Sequence, residues 1–317
     1  VRRPILFDAK ADICVYGMGE RTIVELARSL RDQTEWRLLR GICYSCPERE
    51  VDALLGAEPA CVLPAYADVA AKDDAGRKAF LAMFDLFYRN QEAKTAQTLI
   101  QKNDTRVLVH RPPAWPLTSH ELDAVYALPF ECDAHPIYRT IGKIRALDTI
   151  RFSVTSHRGC YGECNFCAIA VHQGRTVISR SETSIVDEVK RLTRHPRFTG
   201  VIHDVGGPTA NMYGFECSRK MQVGACTDKR CLYPHCCSAL KPSHQAQTRL
   251  LTALRRLPGI KHVFVASGIR PDLVAHDQSC GDAYMLELVG YHVSGQLKLA
   301  PEHTVPRVLR AMGKPDV

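Results

Sequence analysis

No stretch of this 317-residue chain approaches the ~20 uninterrupted apolar residues that a membrane-spanning helix needs, so a helical membrane protein is excluded. The first residues, Val-Arg-Arg-Pro and then an apolar run, lack the pattern of a secretory signal peptide and begin without Met. The expectation is a chain cut from something longer. A large charge excess is also missing. Lys plus Arg is 42 and Asp plus Glu is 34, a net +8 that permits a phosphate-bearing partner without arguing for one. Nor is the chain poor in apolar residues, which make up 45% against 24% charged, so a disordered chain is excluded as well. Length suggests about two domains or one large α/β barrel.

What the chain does have is cysteine. There are 14, and eight of them lie between Cys160 and Cys237. A disulfide scaffold belongs to short secreted chains. A long chain with ordinary core composition points instead to a reducing cytoplasm, with thiolates gathered for metal. Cys14, Cys61, Cys132 and Cys280 are scattered and read as buried apolar residues. Cys43-x-x-Cys46 has no second half, so an incidental role outweighs half a zinc site or a redox pair.

Apolar spacing predicts a strand over 12–16, a glycine turn at Gly17-Met-Gly-Glu20 and a helix over 21–32. Residues 76–102 read as helical, 106–110 as a strand, and 118–127 as a helix opened by Thr118 or Ser119. From residue 150 the pattern alternates. Strands are expected at 150–154, 201–205, 262–266 and 293–299, with helices at about 182–194, 244–257, 281–290 and 302–312. Such alternation implies a parallel sheet or barrel.

Cys160-Tyr-Gly-Glu-Cys164-Asn-Phe-Cys167 directly follows the first of these strands. Three thiolates in a short loop can hold three corners of a cubane iron–sulfur cluster, leaving one iron open to an outside chelator. Gly159 and Gly162 allow the backbone to fold closely around it. Zinc would need a fourth ligand, such as His157 or His172.

This loop resembles the signature of the radical S-adenosylmethionine (SAM) superfamily. The wider pattern resembles its YgiQ-type members. Arg158-Gly-Cys160, Gly174-Arg175, Ser179-Arg180-Ser181, Asp204-Val-Gly206-Gly207-Pro208-Thr-Ala-Asn211, Ala266-Ser267-Gly268 and Leu299-Ala-Pro301-Glu302-His303-Thr304 carry that likeness. The resemblance implies an α/β fold: a partial (β/α) radical SAM barrel of about four parallel strands over 146–317, preceded by a mixed α/β remnant of an N-terminal domain over 1–145. It implies a 4Fe-4S cluster on Cys160, Cys164 and Cys167. SAM would be bound by Phe166, Gly206, Gly207, Ser267 and Arg270, and cleaved reductively to a 5′-deoxyadenosyl radical. An electron donor such as flavodoxin or ferredoxin would serve it. The substrate is unnamed, and no catalytic residue is singled out.

A second group, Cys217, Cys226, Cys231 and Cys237, lies in a Cys-rich insertion at about 215–240. Four thiolates suit an auxiliary iron–sulfur cluster or a closed zinc site. His235 and His244 read as spare ligands or, more simply, as solvated loop residues. Two other functions stay open. One is a methylthiotransferase-like enzyme acting on nucleic acid, with Arg139, Lys143, Arg145, Arg151 and Arg158 as a basic stripe. The other is a non-catalytic iron–sulfur or zinc protein.

Overall fold

The computed structural model describes residues 1–316, the side chain of Arg139 excepted; Val317 and that member of the basic stripe therefore lie outside the described residues. The chain forms two compact units. One holds Val1–Pro116 with Val171–Gly174 and Val223–Thr227; the other holds the remainder.

The first unit is built on a five-stranded sheet. Its strands are β1 (Ile13–Val15), β2 (Ile42–Pro47), β3 (Ala60–Val62), β4 (Thr98–Asn103) and β5 (Arg106–His110), in the order β1-β2-β5-β4-β3. Only the β3–β4 pairing is parallel. The expected glycine turn does join β1 to helix α1 (Glu20–Arg31), with Gly17 at φ +70°. Ile42, Tyr44, Cys46, Val107 and Val109 fill the core beside this sheet. Cys43 and Cys46 stand three residues apart on β2, and strand side chains alternate, so the two point to opposite faces. They do not form one Cys-x-x-Cys site. Both are buried, whereas Cys14, Cys61, Cys132 and Cys280, expected inside, are only partly so.

Residues 76–102 are not one helix. Helix α2 (Asp74–Arg89) stops at Asn90, and β4 follows. The Asn90 side chain explains the break: its amide donates to the Leu86 carbonyl at 2.8 Å, and its carbonyl accepts from the Gln97 N–H at 2.8 Å. The helix end and the returning chain are tied by one residue.

The second unit opens with helix α3 (Ser119–Tyr126), where Thr118 and Glu121 form a complete capping box. Its strands are short, and besides one antiparallel pair, His157–Arg158 with Ile178–Ser179, they are parallel. β6 (Ser153–Thr155) pairs with β8 (Asp204–Gly206), and β7 (Val201–Ile202) pairs with β9 (His262–Val263). The first strand starts later than expected, because Leu147–Ile150 forms a helical turn. The strand expected at 293–299 is reduced to one parallel bridge, Ile269 to Leu299. Gly295, at φ +120°, turns the chain where a strand would have run. The structure is thus a mixed α/β fold with one antiparallel-rich sheet and a set of short parallel pairings.

Helices α4 (Glu182–Leu192), α5 (Gln245–Arg255) and α7 (Gly281–Tyr291) pack their apolar faces with these strands. Val154, Ile202, Val205 and Val263 meet Ile185, Val189, Leu250, Leu254, Tyr284 and Leu288 in one cluster. Between them a short helix, α6 (Pro271–His276), went unread in the sequence. The last helix, α8, runs only over Pro306–Met312, because Pro306 fixes its first position.

Candidate active site

The cysteine loop leaves β6 through a tight glycine. Gly159 has φ +91°, and a Cβ there would lie 2.1 Å from the Thr176 carbonyl oxygen, so only glycine fits. The loop then folds on itself. The Gly162 N–H donates to Cys160 Sγ at 3.3 Å, and the Cys167 N–H donates to the Cys164 carbonyl at 3.0 Å. A Cβ on Gly162 would meet Cys160 Sγ at 3.3 Å, Cys164 Sγ at 3.4 Å and Arg270 Nη1 at 3.4 Å. Two sulfurs and a guanidinium therefore surround a position that glycine leaves open. Glu163 pairs with Arg175 at 2.7 Å, both nearly buried, which ties the loop to the Gly174-Arg175 segment.

Arg270 enters this site from the start of α6. Its Nε donates to one Asp272 oxygen at 2.8 Å and its Nη2 to the other, while Nη1 lies 3.8 Å from Cys164 Sγ. The two-pronged grip that a guanidinium offers a carboxylate is taken here by Asp272. Burial works against the Arg270 charge, yet the Asp272 carboxylate outweighs it and holds the pKa above its ordinary value. Burial pushes the Cys164 thiol up, opposed by Arg270 and Lys314. Asn211 fixes the Arg270 backbone, accepting from its N–H at 2.8 Å and donating to its carbonyl at 3.0 Å.

Behind Asn211 lies His244. It is no solvated loop residue: it is fully buried, with Nδ1 2.8 Å from Asp277 and Nε2 3.1 Å from the Asn211 amide. Burial opposes ionisation of Asp277, but donors from His244, Cys280 and Ser279 bring its pKa down to about 2. His157 is likewise buried, its Nε2 against the Thr209 carbonyl at 3.0 Å and its Nδ1 against Ser156. Neither histidine has a ring nitrogen to spare for zinc. His172 is exposed.

Gly206, Gly207 and Ser267, also expected at SAM, sit in close packing. A Cβ on Gly207 would strike the His157 ring at 2.7 Å, and one on Gly206 would strike the Ser267 hydroxyl at 2.9 Å. Both glycines are used for packing. The Ser267 hydroxyl donates to Asp204, whose other oxygen accepts the N–H groups of Ala266 at 2.7 Å and Ser267 at 3.2 Å. Asp204 thus fastens the start of β8 to the loop after β9. Asp204 opens the Asp204-Val-Gly206-Gly207 motif, whose spacing alone does not show this role. Phe166 is 56% exposed.

A cavity of about 330 Å³ opens beside Arg270, with Asp272, His235, Cys236, Ala300 and Lys314 among its lining. Of the second cysteine group, Cys217, Cys231 and Cys237 pack with Tyr161 and Leu232, and Cys236 joins them. Cys226 belongs to the first unit. Cys236, outside the expected group of four, lines the cavity; burial pushes its thiol up to about 11. Among the described residues no three His, Cys, Asp or Glu side chains converge to hold a single metal ion. A cubane spreads its thiolates over separate irons, so its ligands need not converge in that way. In the basic stripe, Lys143 pairs with Asp148, Arg151 with Asp133, and Arg158 lies over the Tyr126 ring.

Comparison with known proteins bears on the chain as a whole. The family model described as "Radical SAM N-terminal" matches residues 1–153, ending where β6 begins. A UPF0313 protein of Fusobacterium nucleatum is 49% identical over 314 residues, covering 99% of this chain and 53% of that protein. The family model and this relative support a protein of the radical SAM superfamily. A UPF0313 protein of Clostridium perfringens is 43% identical over 318 residues, covering 99% and 46%. One of Thermotoga neapolitana is 41% identical over 320 residues, covering 100% and 54%. The chain spans about half the length of these curated relatives.

Proposed function

We propose that this chain is the YgiQ-type core of a radical SAM enzyme, with Cys160, Cys164 and Cys167 holding a 4Fe-4S cluster. The observation that carries the reading is the cradle at Gly162, where Cys160 Sγ, Cys164 Sγ and Arg270 Nη1 all lie within 3.4 Å of a Cβ that is not there. The donor set fits the group: soft thiols, a backbone N–H already turned onto one sulfur, and a guanidinium to offset thiolate charge. Held by Cys160, Cys164 and Cys167, such a cluster would supply the one-electron reducing power for cleaving SAM.

This chain's own residues do the positioning. Gly159 and the Glu163–Arg175 pair set the course of the loop. Arg270, anchored by Asn211, directs one guanidinium nitrogen at Cys164 and borders the 330 Å³ cavity, which we assign to SAM. Asp204 and Ser267 hold the neighbouring strand ends in register. In this reading residues 146–317 are the barrel portion, residues 1–145 precede it, and the protein works in the cytoplasm with a flavodoxin- or ferredoxin-like donor. The shared packing of Cys217, Cys231 and Cys237 supports an auxiliary metal less firmly, since Cys226 is placed with the other unit.

The test is anaerobic reconstitution with iron and sulfide. About four irons per chain are expected, lost when Cys160, Cys164 and Cys167 are all replaced by Ala. Full iron in that triple variant would overturn the assignment, and would move attention to the second cysteine group.

A further inference from the structure

The cysteine loop has a second anchor that the motif does not include. The last carbonyls of a helix lack intrahelical donors. At the end of α8 two of them are taken by Asn165, the residue after Cys164. Its N–H donates to the Met312 carbonyl at 2.9 Å and its side-chain amide to the Ala311 carbonyl at 2.9 Å. Gly313 ends the helix in the left-handed region at φ +67°, and a Cβ there would lie 3.0 Å from Asn165 Oδ1. Helix end and loop are fastened together.

This fastening decides where the next residue goes. The Lys314 N–H returns to the Leu309 carbonyl at 2.9 Å, and its side chain is 4% exposed. Lysine is rarely buried to this degree, because removing an ammonium from water is costly unless it is paired. Here Nζ donates to the Ala300 carbonyl and pairs with Glu302 at 3.0 Å. Glu302 is held at φ +72°, a conformation that strains a non-glycine residue. Lys314 and Arg270 line the same cavity, and Arg270 Nη1 lies 3.8 Å from Cys164 Sγ.

We propose that Lys314 is a positioning residue for the Cys160/Cys164/Cys167 site: its buried ammonium, with Glu302 as counter-ion, sets the charge balance at Cys164 and so the reduction potential there. The inference rests on the cluster reading above. Reduction adds negative charge, which a nearby cation favours, and cluster potentials respond to local charge.

The experiment measures the midpoint potential of the reconstituted chain in wild type, Lys314→Met, Lys314→Arg and Glu302→Gln. The expected result is a more negative potential in Lys314→Met, a more positive one in Glu302→Gln, and a value close to wild type in Lys314→Arg. Glu302 is 38% exposed, so its variant keeps the sign test open even if the methionine variant does not fold. Unshifted potentials in Lys314→Met and Glu302→Gln, at full iron content, would overturn the role of Lys314 alone. A wild-type chain that takes up no iron would overturn the cluster reading and this inference together.

Discussion

Gly162 is the residue on which the site turns. It is not among the glycines held at positive φ, so alanine is allowed by the backbone, and its cost is confined to the added methyl. That methyl would meet two sulfurs at 3.3–3.4 Å, tighter than ordinary van der Waals contact. Gly162→Ala is therefore expected to fold as wild type by circular dichroism while binding less than half the iron on reconstitution. Unchanged iron content would show that the cradle is not where the cluster sits. The three loop cysteines and Gly162 were legible in the sequence, because a short motif states its own spacing. Asp204, Asn165 and Lys314 were not. Each acts on a partner 62, 146 or 14 residues away, and sequence spacing does not record such closures.

At the scale of elements, legibility followed local chemistry. α3 and α4 were placed well because Thr118 and Ser181 cap them and apolar residues recur at helical spacing. α2 was overrun, because Asn90 stops it through a hydrogen bond to a residue seven positions on. The fourth parallel strand was read from an apolar run that Gly295 interrupts. The parallel strands are two or three residues long, so they depend on ties beyond their ladders. Asp204 is the main such tie, with three donors on one carboxylate. Hydrogen bonds to a charged group contribute about 1.5–3 kcal/mol each. Asp204→Ala, which removes the acceptor from all three, is expected to destabilise the chain by about 3 kcal/mol, read as a shift of the urea midpoint. A change below about 0.5 kcal/mol, the scale of an ordinary surface substitution, would contradict the role given to Asp204.

For the whole molecule, two histidines set an acid limit. Burial lowers both His110, in the first unit, and His157, in the second, to about 4. An unfolded histidine titrates near about 6.5. Between those values the unfolded chain binds more protons than the folded one, so stability falls as pH drops from about 6.5 to about 4. Each histidine contributes about 3 kcal/mol to that loss. Urea unfolding at pH 7.5 and pH 5 should show the decline, and replacing either histidine should flatten it. The units differ in what the sequence revealed. Composition and the cysteine loop pointed to the chemistry of the second, while the five-stranded order of the first could not be read from strand patterns alone, because β5 returns between β2 and β4.

The central claim is that the loop at Cys160, Cys164 and Cys167 binds a cluster that SAM can reach. The direct measurement is the electron paramagnetic resonance spectrum of the anaerobically reconstituted, reduced chain, with and without SAM. A 4Fe-4S signal whose shape changes on adding SAM is the predicted result. A signal indifferent to SAM, or zinc in place of iron with no signal at all, would contradict the account.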